Sequence, residues 1–408
     1  MKDNDFFIDK GNHLVTTPVC SMGIENGEVI MEQQQIKVKN GQIISTEPYQ
    51  GHADLFVTAG FVNCHMHWLM LGEASLQRAY ELILNSPEEM IELVVENARA
   101  TVKAGIIACC DKGPPGIKTA NIYYGLLDAK NRGVPVPKTV YSTWTVGVED
   151  SFASKFLRVV QNNEDLQKLL DELQETGAGL LKAIPESPFL PDDFTYKFVF
   201  PEPLFDLARK ITISKSILFA IHAKGHDTIE MGLKYKVDCI EHCIEATAKH
   251  LKEMQKQGIF LGPTLEGFWC RLEHAQKSGS GLAAAGYEWA AVTSMFRNAA
   301  SLNDDGSPFA NMLFASDAGS FTTPHASLKE LYFMRKFGLS PPHVFEAATL
   351  NGAKLLRMQD KIGCLRVGYD ADLIFWSRNP LELSLDDWSH LKDFISAVMV
   401  GGKIVHIN

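Results

Sequence analysis

The sequence lacks several features that would point to a membrane or to nucleic acid. None of its 408 residues falls in a run of about 18 apolar residues, the length that a membrane-spanning helix needs. The N-terminal stretch has no basic region followed by an apolar core, as a signal peptide would. Lysine and arginine (39) are outnumbered by aspartate and glutamate (49), so the formal net charge is −10. This balance disfavours nucleic acid and anionic membranes as partners. Neither is therefore expected as a partner.

Cysteine is also sparse, and its spacing excludes the usual cysteine-based sites. The eight cysteines are scattered, no CxxC pattern occurs, and Cys109 and Cys110 are the only adjacent pair. A zinc knuckle, a redox motif and a disulfide framework are thereby disfavoured. We expect a cytoplasmic protein whose thiols stay reduced.

Both ends of the chain are rich in strand-like segments. Residues 1–58 alternate β-branched stretches with Asn-Gly turns, and residues 361–408 return to strand-like segments separated by turns. The two ends are predicted to pair into one small β-sandwich domain.

Between residues 59 and 360, short apolar runs alternate with longer helical patterns. Eight such strand–helix units at this length predict an α/β fold, a closed (β/α)8 TIM barrel. The segment from 266 to 308 is longer than a simple crossover and contains glycines beside a helical stretch. It predicts either a lid or an elongated surface helix pair.

Polar side chains end several of the apolar runs. Active sites of such barrels lie at the carboxyl ends of the strands, so these side chains should converge on one rim. Two of them belong to "CHMH", where the pleat of a strand points both imidazoles the same way. Imidazole and carboxylate are ligands that suit zinc and related ions. The candidates come from five strands and are His65, His67, Lys182, His222, His242 and Asp317.

Several stretches resemble the amidohydrolase superfamily, and most closely its imidazolonepropionase-like branch, which includes prolidase-type dipeptidases. These are "TAGFVNCHMH", the lysine on strand 4, "IHAKGHDTIEMGLKYKVDCIEHC", "ASDAGSFTTPH" and "IGCLRVGYDADLIFWSRNPLE". The resemblance covers nearly the whole chain, in order and at the expected spacing. It also makes a homo-oligomer possible, because barrels of this branch commonly associate.

The resemblance implies a binuclear metal centre. The two histidines of "CHMH" and Asp317 would bind the more buried ion, while His222 and His242 would bind the second. Lys182, carboxylated on its amine, would bridge both. Two Zn²⁺ per chain are expected, with Mn²⁺, Fe²⁺ or Co²⁺ as alternatives.

The implied reaction is hydrolysis of an amide C–N bond by a hydroxide that bridges the two ions. Bound metal lowers the pKa of water towards 7. Asp317 would take the proton and pass it to the leaving amine. Burial beside cations disfavours the ammonium form of Lys182, in keeping with its carboxylation. Dipeptides, N-acyl amino acids and cyclic amides are the expected substrates.

Two other functions stay open. A mononuclear deaminase of N-heterocycles usually has a glutamate three residues after the strand 5 histidine and no strand 4 lysine; here Gly225 and Lys182 stand at those positions. A non-catalytic scaffold would usually have lost metal ligands, and this chain keeps every one.

Substrate contacts are sought in the loops after the strands. Trp144 is expected to form an apolar pocket wall. Lys224 either pairs with a substrate carboxylate or is a solvated loop lysine. His325 is a third candidate, whereas the turn Asp111–Gly113 is expected to be structural. Weaker candidates are Trp68, Lys112, Glu266, Phe268 and Trp269.

Overall fold

The computed structural model describes residues 6–11, 13–25, 27–72, 76–113, 122–190, 195–321 and 323–408. Over these ranges the strands are β1 Phe7–Asp9, β2 Leu14–Thr16, β3 Val19–Glu25, β4 Glu28–Lys39, β5 Gln42–Pro48, β6 Leu55–Ala59, β7 Phe61–Met66, β8 Ile106–Asp111, β9 Lys138–Tyr141, β10 Thr145–Gly147, β11 Arg158–Val159, β12 Leu180–Ala183, β13 Leu218–Ala223, β14 Cys239–His242, β15 Phe260–Gly262, β16 Leu373–Trp376, β17 Ile395–Val400 and β18 Lys403–Ile407.

The α-helices connect these strands and are α1 Leu76–Asn85, α2 Pro87–Lys103, α3 Ile122–Asn131, α4 Asn163–Glu175, α5 Glu202–Ser214, α6 His226–Tyr235, α7 Ala248–Gln257, α8 Leu265–Ser278, α9 Leu282–Ala299, α10 Lys329–Lys336, α11 Pro341–Ala348, α12 Leu350–Leu355 and α13 Leu385–Ser389. None of the helices in the described ranges combines the length and the hydropathy that crossing a membrane demands.

Strands from both ends of the chain form one mixed sheet. Its order is β1-β2-β4-β3-β6-β16-β17-β18, and β5 also pairs with β4. The predicted pairing of the two ends is confirmed, but the hydrogen bonds join them as one sheet instead of two. Phe6 and Phe7 at one edge contact Phe375 of β16, with ring centroids 5.4 and 5.5 Å apart. The sheet therefore rolls onto itself around its own apolar core.

The sequence pattern accounts for the turn between β4 and β5. Asn40 and Gly41 have φ angles of 53° and 81°, the left-handed pair that a tight hairpin turn requires. This is one of the Asn-Gly turns on which the prediction of a β-rich N-terminus depends.

Parallel strands alternate with helices in the central part of the chain. They form a three-stranded sheet, β7-β8-β9, and a six-stranded sheet, β11-β10-β12-β13-β14-β15. The third predicted run is broken into β9 and β10, which lie in different sheets. Ser142 bridges the break, because its N–H donates to Asp111 O at 3.0 Å and its hydroxyl accepts from Lys182 N at 3.3 Å.

The eighth predicted strand is not a regular strand. Instead, residues 312–318 bond to both neighbours through the backbone: Leu313 N donates to Leu261 O at 3.0 Å, and Asp317 N donates to His65 O at 3.0 Å. The prediction of eight regular strands is wrong in this detail. The bonds nevertheless close the ring of parallel segments that carries the predicted site residues.

Strand β16 attaches the terminal sheet to the ring of parallel strands. All four of its residues are buried, and their side chains alternate between two cores, as the pleat requires. Leu373 and Phe375 belong to the core of the terminal sheet, whereas Ile374 and Trp376 belong to the large central core. The domain boundaries at residues 58 and 361 stay predictions.

The segment from 266 to 308 contains a helix pair. Helices α8 and α9 are joined through Gly279 and Gly281, whose φ angles of 72° and 67° allow the sharp reversal. Trp289 of α9 contacts Phe333 of α10 with centroids 5.5 Å apart. The pair is thus packed against the rest of the fold.

Candidate metal centre

Three predicted ligands meet at the end of β7. The ligand atoms of His65, His67 and Asp317 all lie within 4.8 Å of one another. His67 Nε2 is 3.0 Å from Asp317 Oδ1 and 3.2 Å from His65 Nε2. Nitrogen and oxygen atoms at this spacing are a donor set for a divalent metal ion.

The other two predicted histidines lie beside this group. The His222 and His242 rings are 4.4 Å apart, and His65 and His242 are 5.5 Å apart. Thr264 Oγ1 contacts His242 Nδ1 at 2.7 Å and so fixes that ring. Burial and the neighbouring His222 lower the pKa of His242 well below its ordinary value. Its imidazole is therefore neutral, the form that binds metal.

Two of the predicted ligands have a left-handed backbone conformation, which sets the direction of their side chains. His242 has a φ of 74° and Asp317 a φ of 58°, both unusual for residues other than glycine. Such strained positions cluster at functional sites, where the surrounding structure holds them.

Lys182 is the amine that the resemblance implies as the bridge between the two groups. It lies on β12 and is buried, and its Nζ has no hydrogen-bond partner among the residues that the structure describes. Burial lowers the pKa of Lys182 to about 8. A buried amine without a partner is costly on its own. Together with four imidazoles and a carboxylate, it fits a divalent-metal site.

A buried ion pair that the sequence analysis missed orients His65. Glu241 Oε2 accepts from His65 Nδ1 at 2.7 Å, and Glu241 Oε1 is 2.9 Å from Lys112 Nζ. Although burial raises the pKa of Glu241, the Lys112 ammonium and His65 hold it well below its ordinary value. The bond puts the His65 proton on Nδ1 and leaves Nε2 free to bind a metal.

A sequence signal for this pair exists. Glu241 stands within the apolar run "VDCIEHC", and a carboxylate inside a buried strand needs a cation. Lys112 is fully buried against Glu241. The expectation that Lys112 contacts substrate is therefore wrong.

The turn after β8 orients His67. Asp111 accepts backbone N–H groups from Trp68 at 2.8 Å and from Gly113 at 2.9 Å. Gly113 O then contacts His67 Nδ1 at 2.6 Å. The structural role expected for Asp111 and Gly113 is confirmed.

Lys224 is buried beside the two histidines of the second group. Its Nζ lies 2.9 Å from Glu288 Oε1, and 5.5 and 5.4 Å from the ring centroids of Phe152 and Phe268. Phe152 stacks on His222 at 5.6 Å. The alternative of a solvated loop lysine is therefore wrong, and Glu288 is a residue that the sequence analysis missed.

Glu186 is a second missed carboxylate on this side. It accepts backbone N–H groups from Lys224 at 3.0 Å and from Gly225 at 2.8 Å, and its Oε2 is 3.7 Å from His222 Nε2. Burial raises the pKa of Glu186 to about 7. Glu186 fixes the loop that follows His222.

The other predicted contact residues have packing partners. The Trp144 ring lies 4.9 Å from the Arg158 guanidinium carbon. His325 Nε2 contacts His67 O at 3.0 Å, and burial lowers the pKa of His325 to about 4. Substrate contact by Trp144, Lys224 and His325 stays a prediction.

Two weaker candidates, one buried and one partly buried, make contacts with other helices. Glu266 is fully buried and accepts from Glu330 N at 3.1 Å. Trp269 packs on Trp289, with centroids 5.3 Å apart. Both contacts are structural.

Comparisons by sequence and by structure each find known proteins that are similar to this chain. A sequence profile of the amidohydrolase family matches residues 56–405. A segment covering 18% of this chain is 37% identical to the imidazolonepropionase of Hahella chejuensis, over 19% of that relative's length. A solved Xaa-Pro dipeptidase with bound methionine covers 95% of this chain and 99% of its own, with 19% identity and a TM-score of 0.76.

A solved prolidase complexed with N-methylphosphonate-L-proline covers 96% of this chain and 100% of its own, with 18% identity and a TM-score of 0.78. At such identities the two solved structures establish the fold alone.

We expect Glu241→Gln to reduce both the stability of the protein and its affinity for metal. The substitution leaves the Lys112 ammonium buried without a counter-ion, which costs about 3–5 kcal/mol. It also weakens the orientation of His65, and losing such a contact reduces metal affinity roughly 10–100-fold. Chemical denaturation and zinc competition titration measure the two effects separately.

The double variant Glu241→Gln/Lys112→Met is the matched control. Because it removes the unpaired cation, most of the stability should return while the metal affinity stays low. If the double variant recovers both stability and metal affinity, or neither, Glu241 does not have separate roles in neutralising Lys112 and in orienting His65.

Proposed function

Since this chain belongs to the amidohydrolase family, we propose that it is a metal-dependent hydrolase that cleaves an amide C–N bond in a small molecule. The observation that carries the proposal is the ligand group of His65, His67 and Asp317 within 4.8 Å. The Lys182 amine, which has no hydrogen-bond partner in the described part of the chain, supports a second ion. Dipeptides, N-acyl amino acids and cyclic amides are the proposed substrates; a homo-oligomer is the proposed assembly.

Two zinc ions are proposed for the centre. His65, His67 and Asp317 would hold one, His222 and His242 would hold the other, and Lys182, as a carbamate, would join them. When bound, the ions would lower the pKa of water and polarise the substrate carbonyl.

Asp317 is the proposed general base and acid. His65 and His67 lower the pKa of Asp317 below its ordinary value, although burial opposes them. Its carboxylate is therefore ionised at neutral pH and can take a proton from water, then give it to the leaving amine. A Cβ on Gly267 would lie 3.1 Å from Asp317 Oδ2. The absence of a side chain there keeps this oxygen accessible.

Lys224 is the proposed anchor for a substrate carboxylate. The rings of Phe152, Tyr196 and Phe268 lie within 5.6 Å of its Nζ and exclude water, which strengthens an ion pair. Arg271 also pairs with Glu288. Lys224 and Arg271 therefore share the single Glu288 carboxylate.

Metal analysis tests the proposed function against its alternatives. Protein purified with zinc and bicarbonate should contain about two ions per chain at the candidate centre, and Lys182→Met should contain about one there, because the shared ligand is lost. One ion at this centre in the wild type, together with deamination of an N-heterocycle, would establish the deaminase. The absence of metal and of activity would establish the scaffold.

We expect Asp317→Asn to abolish most hydrolysis while retaining metal. The amide keeps an oxygen but cannot accept a proton, so kcat/KM for a dipeptide found by library screening should fall roughly 10²–10⁴-fold. Asp304→Asn, at a carboxylate that is 97% exposed, is the control. Unchanged activity in Asp317→Asn would exclude the base role.

Substrate recognition is tested with Lys224→Met. KM for a dipeptide with a free carboxylate should rise roughly 10–100-fold, the effect of losing one charged hydrogen bond. KM for the same dipeptide with an amidated C-terminus should not change. Lys210→Met, at an exposed lysine, serves as control. An equal rise for both substrates would show that Lys224 is structural.

A further inference from the structure

A second group of metal-ligand side chains lies on helices α6 and α7, outside the candidate centre. The ligand atoms of His226, Glu230 and His250 all lie within 4.8 Å of one another. His226 and Glu230 are four residues apart on α6 and so share one face of that helix. His250 comes from the first turn of α7.

One side chain of this group is held in place, and the other two are free to rotate. The His250 side chain is 3% exposed, and its Nε2 is 2.9 Å from Glu230 Oε1. The His226 ring lies 4.7 Å from the His250 ring. His226 and Glu230 are about half exposed, so they can close around an ion by small side-chain rotations.

Neighbouring carboxylates favour a cation here. Asp227 Oδ1 lies 3.7 Å from His226 Nδ1, and Glu245 Oε2 accepts from His226 N at 3.0 Å. Two imidazoles and one carboxylate with an open side towards solvent are a ligand set typical of zinc, with water as the fourth ligand.

We propose that His226, Glu230 and His250 form a further binding site for a divalent transition-metal ion, with Zn²⁺ as the best fit. The ion would join α6, which follows β13, to α7, which follows β14. These two strands carry His222 and His242. A metal ion at this site would therefore hold together the two segments that position one half of the candidate centre.

Binding has a local structural consequence. Thr247 N donates to His250 Nδ1 at 3.2 Å as part of the cap of α7. A metal ion bound to His250 Nε2 requires the ring proton to be on Nδ1. Nδ1 is then a donor and cannot accept the Thr247 N–H. The bond is then lost, so the Thr247 amide should exchange its hydrogen faster when zinc is bound.

Protection of His226 from diethyl pyrocarbonate tests the site, with mass spectrometry reading each histidine of the full chain. With free zinc at ten times the dissociation constant, His226 should react about tenfold more slowly. Exposed His390, outside the group, should react at the same rate with and without zinc. In Glu230→Gln the protection of His226 should be lost.

The zinc content of His226→Ala provides a second measurement. It should fall by one ion per chain relative to wild type, while His390→Ala should keep the full content. An unchanged content, or equal reactivity of His226 with and without zinc, would overturn the proposal. Both readouts are specific to this site and do not depend on hydrolytic activity. A failure here is therefore distinguishable from a failure of the proposed function.

Discussion

A lysine ammonium and a glutamate carboxylate are buried together inside the ring of strands, and the candidate centre rests on that pair. Lys112 from the end of β8 neutralises Glu241 of β14, and Glu241 holds His65 of β7. Neither charge is stable there alone, because removing one partner leaves the other unsolvated. The contacts therefore hold β7, β8 and β14 in fixed positions relative to one another. In this arrangement His65 directs Nε2 into the site.

The start of helix α8 is the second element that shapes the centre. Thr264 bonds His242, while Gly267 leaves space against Asp317. Glu330 of α10 accepts from the first backbone N–H groups of α8, which would otherwise be buried without partners. Helix α10 thus fixes the position of α8, and α8 fixes a residue on each side of the centre.

The terminal sheet contributes through packing and not through ligands. Trp376 of β16 donates to Thr58 Oγ1 at 3.0 Å and packs against Phe61 and Phe345, with centroids 5.9 Å away in each case. Phe61 begins β7, the strand that carries His65 near its other end. The sheet built from both termini therefore supports the base of the strand whose far end carries the first candidate ligands.

The sequence by itself determined the alternation of strands and helices and the six ligand-type side chains, because both follow from local periodicity and from the rule that polar groups end buried strands. Tertiary structure alone decided the partners. Glu241 lies 176 positions from His65 in the chain, and Glu288 lies 64 from Lys224. The break in the third strand and the irregular eighth segment likewise depend on neighbours across the ring. Local patterns can show that a buried charge needs a partner but do not identify that partner, because the fold alone brings the two buried charges or the two chain segments together.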